Sequence, residues 1–108
     1  MKGRWISISV AVLTLMSAGQ VLASEELAEK NRCMDCHGVD ERGTGPSFKD
    51  IATRYKDKPR ARGALIETIK NGGKGNWMDV SHGAPMPAYG NLISGSDIER
   101  LVDWVLGL

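Results

Sequence analysis

Cys33-Met34-Asp35-Cys36-His37 is the stretch on which the rest of the chain turns. Two thiols three positions apart, with a histidine directly after the second, spell C-x-x-C-H, the attachment signature of a c-type haem. Each thiol can add to one vinyl group of a single porphyrin, and His37 is then held beside the iron as proximal ligand. Three other uses compete for the same residues. A thioredoxin-like dithiol wants a preceding strand and a βαβ context, and neither flanks Cys33. A zinc site needs four ligands, which Cys33, Cys36, His37 and His82 supply on paper. A structural disulfide is the third, permitted in an exported protein. An exported helical chain with the histidine directly after the second cysteine favours haem over all three.

Export is legible upstream of the motif. Lys2 and Arg4 precede an apolar run from Trp5 to Met16, followed by Ser17, Ala18 and Gly19 and then Val21, Leu22 and Ala23. That order of charge, apolar run and small residues is the signature of a secretory signal peptide, with cleavage placed after Ala23. The run is shorter than the roughly 20 residues that span a bilayer. Residues 1–23 are expected to be removed and 24–108 to form one domain. Removing 23 of the 108 residues leaves 85, with 12 basic against 13 acidic side chains. So even a balance gives no footprint for nucleic acid. No later segment is apolar for long enough to span a membrane, so the mature chain is expected to be soluble and periplasmic.

Four stretches carry helical periodicity and none has a convincing period of two, so the fold class is all-α. The first runs from Glu25 to Met34, with Ser24 as its cap and Glu25, Glu26 and Glu29 favourably placed against the helix dipole. The second starts at Ser47, where Ser47 and Asp50 make a capping pair, and sets Phe48, Ile51, Ala52 and Tyr55 on one face before Pro59. The third, Ala61 to Lys70, offers Leu65, Ile66 and Ile69 and stops at Asn71-Gly72-Gly73. The last, Ser96 to Leu106, stripes Ile98, Leu101, Val102 and Val105 with Trp104 at the edge.

A glycine-rich loop from Gly72 to Gly95 separates the last two helices. A loop that long in a small domain is uncommon unless it binds something. Met86 stands there between Pro85 and Pro87, which restrict the backbone on either side. A thioether so presented is the best candidate for the second axial ligand, although most methionines serve as core filling. Met78 and His82 are the fallback ligands in the same loop.

Taken in order, Asn31-Arg32-Cys33-Met34-Asp35-Cys36-His37, Gly45-Pro46-Ser47-Phe48-Lys49-Asp50-Ile51-Ala52, Ile69-Lys70-Asn71-Gly72, Gly75-Asn76-Trp77, Pro85-Met86-Pro87 and Asp103-Trp104-Val105-Leu106 resemble a small bacterial class I cytochrome c of the cytochrome c551 (c8) type. The resemblance covers essentially all of residues 25–107. It implies about four helices wrapped around one covalently attached haem c, with the terminal helices crossing and the haem edge exposed at one surface. It also implies that the Pro46 carbonyl accepts a hydrogen bond from His37 and that the Trp77 indole N–H is directed at a haem propionate. The interval from Met78 to Pro85 is longer than the family's short link. Tyr89 stands where the family often has an asparagine touching the axial sulfur, and Thr68 where it can place a base near a propionate.

The function expected from these features is electron carriage between larger donor and acceptor redox proteins, by a monomer that is not an enzyme. The basic run Arg54, Lys56, Lys58, Arg60 and Arg62 either steers an acidic partner or is a solvated helix end. The alternative function is a haem sensor or peroxidase-like enzyme with a displaceable sixth ligand, for which the chain offers no evident distal acid-base pair.

Overall fold

The structure is a computed structural model and describes Gly3, residues 9–11 and residues 18–108. The described residues form five α-helices: α1 (Ala18–Lys30), α2 (Phe48–Tyr55), α3 (Ala61–Asn71), α4 (Met78–Ser81) and α5 (Gly95–Leu106). A 3-10 turn, Cys33–Asp35, follows α1. No strand occurs among the described residues, only isolated bridges between His37 and Arg42 and between Gly73 and Met86.

Capping sets the start of the two most amphipathic helices. Ser47 Oγ accepts from the Asp50 backbone N–H at 3.0 Å, as the capping pair predicts, and α2 begins at Phe48. Ser94 Oγ accepts from the Asp97 N–H at 3.2 Å, so α5 starts one residue earlier than expected. Each cap satisfies an N–H that has no partner inside its own helix.

Helix α5 is the hub, packing against α1, α2 and α3. Its stripe of Ile98, Leu101, Val102 and Val105 is buried as the periodicity requires, and Trp104 is buried with it. Ala28 of α1, Phe48 of α2 and Ile93 complete the core around these side chains. Each fully buried aliphatic side chain contributes about 1.5–3 kcal/mol relative to exposure.

Three expectations are corrected. Helix α1 begins at Ala18, so Ser24 lies inside it, buried, and does not cap it. The same helix ends at Lys30 rather than Met34. Asn31 donates its side-chain N–H to the Leu27 carbonyl at 2.9 Å, and Arg32 turns into the left-handed region at φ 62°, which breaks the helical path before the first cysteine. The long loop is not structureless, because α4 folds within it. The apolar run Trp5–Met16 of the expected signal peptide lies outside the described residues apart from 9–11, and the expected cut after Ala23 falls within α1.

Candidate functional site

The 3-10 turn brings the motif together. The His37 backbone N–H donates to the Cys33 carbonyl at 3.0 Å, and the Cys36 N–H to the same oxygen at 3.3 Å. Both cysteines are half-buried free thiols bordering one cleft. Burial pushes the Cys33 thiol above its ordinary pKa, and the neighbouring Asp35 charge adds to the rise.

His37 enters the same cleft with one ring nitrogen already committed. Nδ1 lies 2.7 Å from the Pro46 carbonyl oxygen. A carbonyl only accepts, so Nδ1 carries the proton and Nε2 is left with its lone pair for a metal. Burial lowers the imidazole pKa, against the opposing pull of the Pro46 carbonyl. Glycine is required beside this ring: a Cβ on Gly45 would come within 2.5 Å of its Cε1. Phe48 stacks against the ring with centroids 5.3 Å apart and planes 23° apart.

Apolar side chains of three helices wall the cleft, among them Phe48 and Ile51 of α2, Leu65 and Ile69 of α3, and Val102 of α5. Met86, half-buried, borders it from the loop after α3. Its backbone is paired both ways with Gly73, the Gly73 N–H donating at 2.9 Å and the Met86 N–H at 2.8 Å. Gly72 adopts φ 67°, and a Cβ there would collide with the Met86 carbonyl. Further along, the Tyr89 and Gly90 N–H groups donate to the Ile69 and Lys70 carbonyls at 2.9 and 3.1 Å. Carbonyls in the last turn of a helix have no partner within it, and here they tether the loop.

The fallback ligands are elsewhere. Met78 is 54% exposed. His82 is exposed at the end of α4 with φ 52°. Neither borders the cleft. Nor do the described residues contain any group of three or more His, Cys, Asp or Glu side chains arranged to hold a metal ion, which removes the four-ligand zinc arrangement.

Trp77 borders the cleft from the residue before α4. One face of its ring is covered by the Arg54 guanidinium, 3.5 Å from the ring centroid. Arg54 also donates to the Asn76 carbonyl and to Asp79 Oδ2, the latter at 3.1 Å. This brace from α2 to Asn76 and to Asp79 of α4 joins residues 22 to 25 positions apart. The sequence displays Arg54 only as one member of a basic run, so the pairing had no local signal.

The brace carries a pH dependence. The hydrogen bond from Arg54 holds the Asp79 carboxyl below its ordinary range. A carboxylate whose folded pKa is depressed stabilises the fold above its unfolded pKa, and that contribution is lost as pH falls through the folded value. Asp79→Asn is therefore expected to give a small drop in the urea midpoint at about pH 7 that closes as the pH is taken below the ordinary carboxylate range. The pair is solvent-exposed, which keeps the drop small. A gap that persisted unchanged in acid would assign the effect to something other than charge.

The cytochrome c family model matches residues 21–108. The chain belongs to the cytochrome c family. It is similar to cytochrome c-552 of Nitrosomonas europaea, with 40% identity over 108 residues spanning 100% of this chain and 99% of that protein. It is 34% identical to cytochrome c-551 of Pseudomonas aeruginosa over 103 residues, 89% of this chain and 93% of that one. The crystal structure of wild-type Nitrosomonas europaea cytochrome c552 superposes with a TM-score of 0.69, at 40% identity, over 78% of this chain and 98% of that one. The class 1 cytochrome MtoD of Sideroxydans lithotrophicus ES-1 gives 0.65 at 34% identity, over 81% and 94%. The c551-type resemblance and the all-α cytochrome c fold are thus both correct.

As a cytochrome c, the protein carries one covalently bound haem c. The cleft fits that group. It offers two free thiols on one turn, an imidazole with Nε2 unprotonated, and apolar walls for the porphyrin faces.

Proposed function

We propose that the mature protein is a soluble, monomeric carrier of single electrons in the periplasm, with Cys33 and Cys36 bonded to the haem and His37 and Met86 as its two axial ligands. The observation that carries this reading is the two-way pairing of Met86 with Gly73, which anchors the thioether-bearing residue at the wall of the cleft that His37 enters. The haem supplies a ferrous/ferric couple, and filled axial positions favour electron transfer over binding of small molecules.

The chain's own residues then orient, insulate and tune. The Pro46 carbonyl fixes the His37 tautomer and raises the basicity of Nε2. A thioether from Met86 favours the reduced state and raises the potential. Trp77, with Arg54 stacked over its ring, supplies an indole N–H for a propionate. The apolar walls limit solvent access to the group between them. Such a protein is a carrier rather than an enzyme, and its partners are a larger donor and a larger acceptor.

Residues 1–23 are read as a signal peptide cut after Ala23, which leaves Ser24 at the start of a shortened α1 with Glu25 and Glu26 in its first turn. No helix among the described residues is long and apolar enough to cross a membrane. In the basic run, Arg54 and Arg62 are committed to Asp79 and Asp103. Lys56, Lys58 and Arg60 form no ion pair among the described residues, a narrower basic surface than the sequence suggests and one suited to an acidic partner.

The test is the absorption spectrum of protein exported from a host with haem-maturation machinery, taken oxidised and reduced, with and without carbon monoxide. A weak far-red sulfur-to-iron band in the oxidised protein and a reduced spectrum indifferent to carbon monoxide are expected. Covalent haem without that band sinks Met86 as ligand, and ready carbon monoxide binding turns the case toward sensing or catalysis.

A further inference from the structure

Among the described residues, Ser81 Oγ is buried and has no hydrogen-bond partner, although its residue borders the cleft. A buried hydroxyl without a partner is uncommon in a folded protein and calls for an acceptor or donor still to be placed. We infer that Ser81 donates a hydrogen bond to a propionate carboxylate of the haem, alongside Trp77. The inference rests on the reading that the haem sits in the cleft between the Cys33–His37 turn and the Met86 loop.

The geometry comes from α4. The Ser81 N–H donates to the Trp77 carbonyl at 2.8 Å, so the two residues are one helical turn apart. Residues at i and i+4 share a face of a helix, and both of these border the cleft. Asp79, on a different face, turns instead to the Arg54 brace. Arg54 thereby ties the short helix to α2 through Asp79, while Ser81 stays among the residues that border the cleft.

Chemistry narrows the acceptor. The walls nearby are largely apolar, and no protein acceptor, the Met86 sulfur included, is hydrogen-bonded to Ser81 Oγ. A porphyrin bonded to iron presents hydrocarbon over its faces and edge, apart from its two propionates. A carboxylate is an acceptor only and takes several donors. Thr68, at the position where related proteins can place a base, already gives its hydroxyl to the Ala64 carbonyl at 2.9 Å. Ser81 lies in the stretch Met78–Pro85 that exceeds the family's short link, so this donor belongs to the extra turn.

Holoprotein, Ser81→Ala and Ser81→Thr are compared by resonance Raman spectroscopy in the region of the propionate bending modes, and by their midpoint potentials. The expected result is a shifted propionate band and a lower potential for the alanine variant, because an uncompensated carboxylate favours ferric iron. Both return to wild-type values in the threonine variant, which keeps the hydroxyl. An alanine variant with an unmoved band overturns the assignment, and so do alanine and threonine variants that shift alike, since packing rather than hydrogen bonding would then be at work. The far-red band of each variant reports Met86 ligation separately. If that band is absent from every protein, the axial reading fails while the propionate comparison still decides the role of Ser81.

Discussion

Replacing Met86 with alanine is expected to abolish the far-red sulfur-to-iron band and to let the reduced protein bind carbon monoxide, from no detectable uptake to one equivalent per haem, while the haem stays covalently attached. Attachment survives because Cys33 and Cys36 lie on a different segment, the 3-10 turn after α1. The loop survives because its fixings are backbone groups: Gly73 pairs with residue 86, and Ile69 and Lys70 take the N–H groups of Tyr89 and Gly90. None of these bonds uses the thioether. Its loss is therefore expected to remove the proposed ligand without releasing the loop, and the potential to fall with the loss of a soft sulfur donor. Met86→His keeps a ligand in reach and should block carbon monoxide while still lowering the potential. An alanine variant that retained the band would require another methionine, yet Met78 is exposed on α4 and does not border the cleft.

How much of this site could be read in the sequence depends on how local each signal was. The C-x-x-C-H spacing is contained within five residues, and the 3-10 turn that bears it faces the cleft as the spacing demands. The stripe of α5 was equally plain, since four apolar residues at helical spacing leave one solution, and all four are buried. The end of α1 was not legible: the expected helix ran to Met34, whereas in the structure the Asn31 side chain bonds back to Leu27 and Arg32 leaves the helical region.

The loop from Gly72 stood out in the sequence by its length, but the helix inside it did not. Helix α4 is a single turn, too short for a periodic pattern, and the stacking of Arg54 on Trp77 and the burial of the Ser81 hydroxyl appear only when the chain is folded. Sequence length flagged the stretch, but only geometry separates its exposed residues, Met78 and His82, from those that border the cleft.

Phe48→Ala is expected to cost about 3–5 kcal/mol of stability, a large part of the roughly 5–15 kcal/mol available to a small domain. Phe48 is 6% exposed and joins two parts of the molecule. One ring face stacks on His37, and its edge meets Trp104 of α5 at 5.2 Å and 64°. Such aromatic pairs are each worth about 0.5–1.5 kcal/mol beyond area burial. The void cannot close cheaply, because Trp104 is held by α5 and His37 by the Pro46 carbonyl. Guanidinium unfolding of the holoprotein measures the loss, and circular dichroism of the haem band should change with it as the His37 ring loses its stacked neighbour. Phe48→Leu restores most of the volume without the ring, so it should recover much of the stability and little of the dichroism. A loss below about 1 kcal/mol for the alanine variant would mean that contacts between haem and protein, rather than the link from His37 through Phe48 to α5, carry this side of the core.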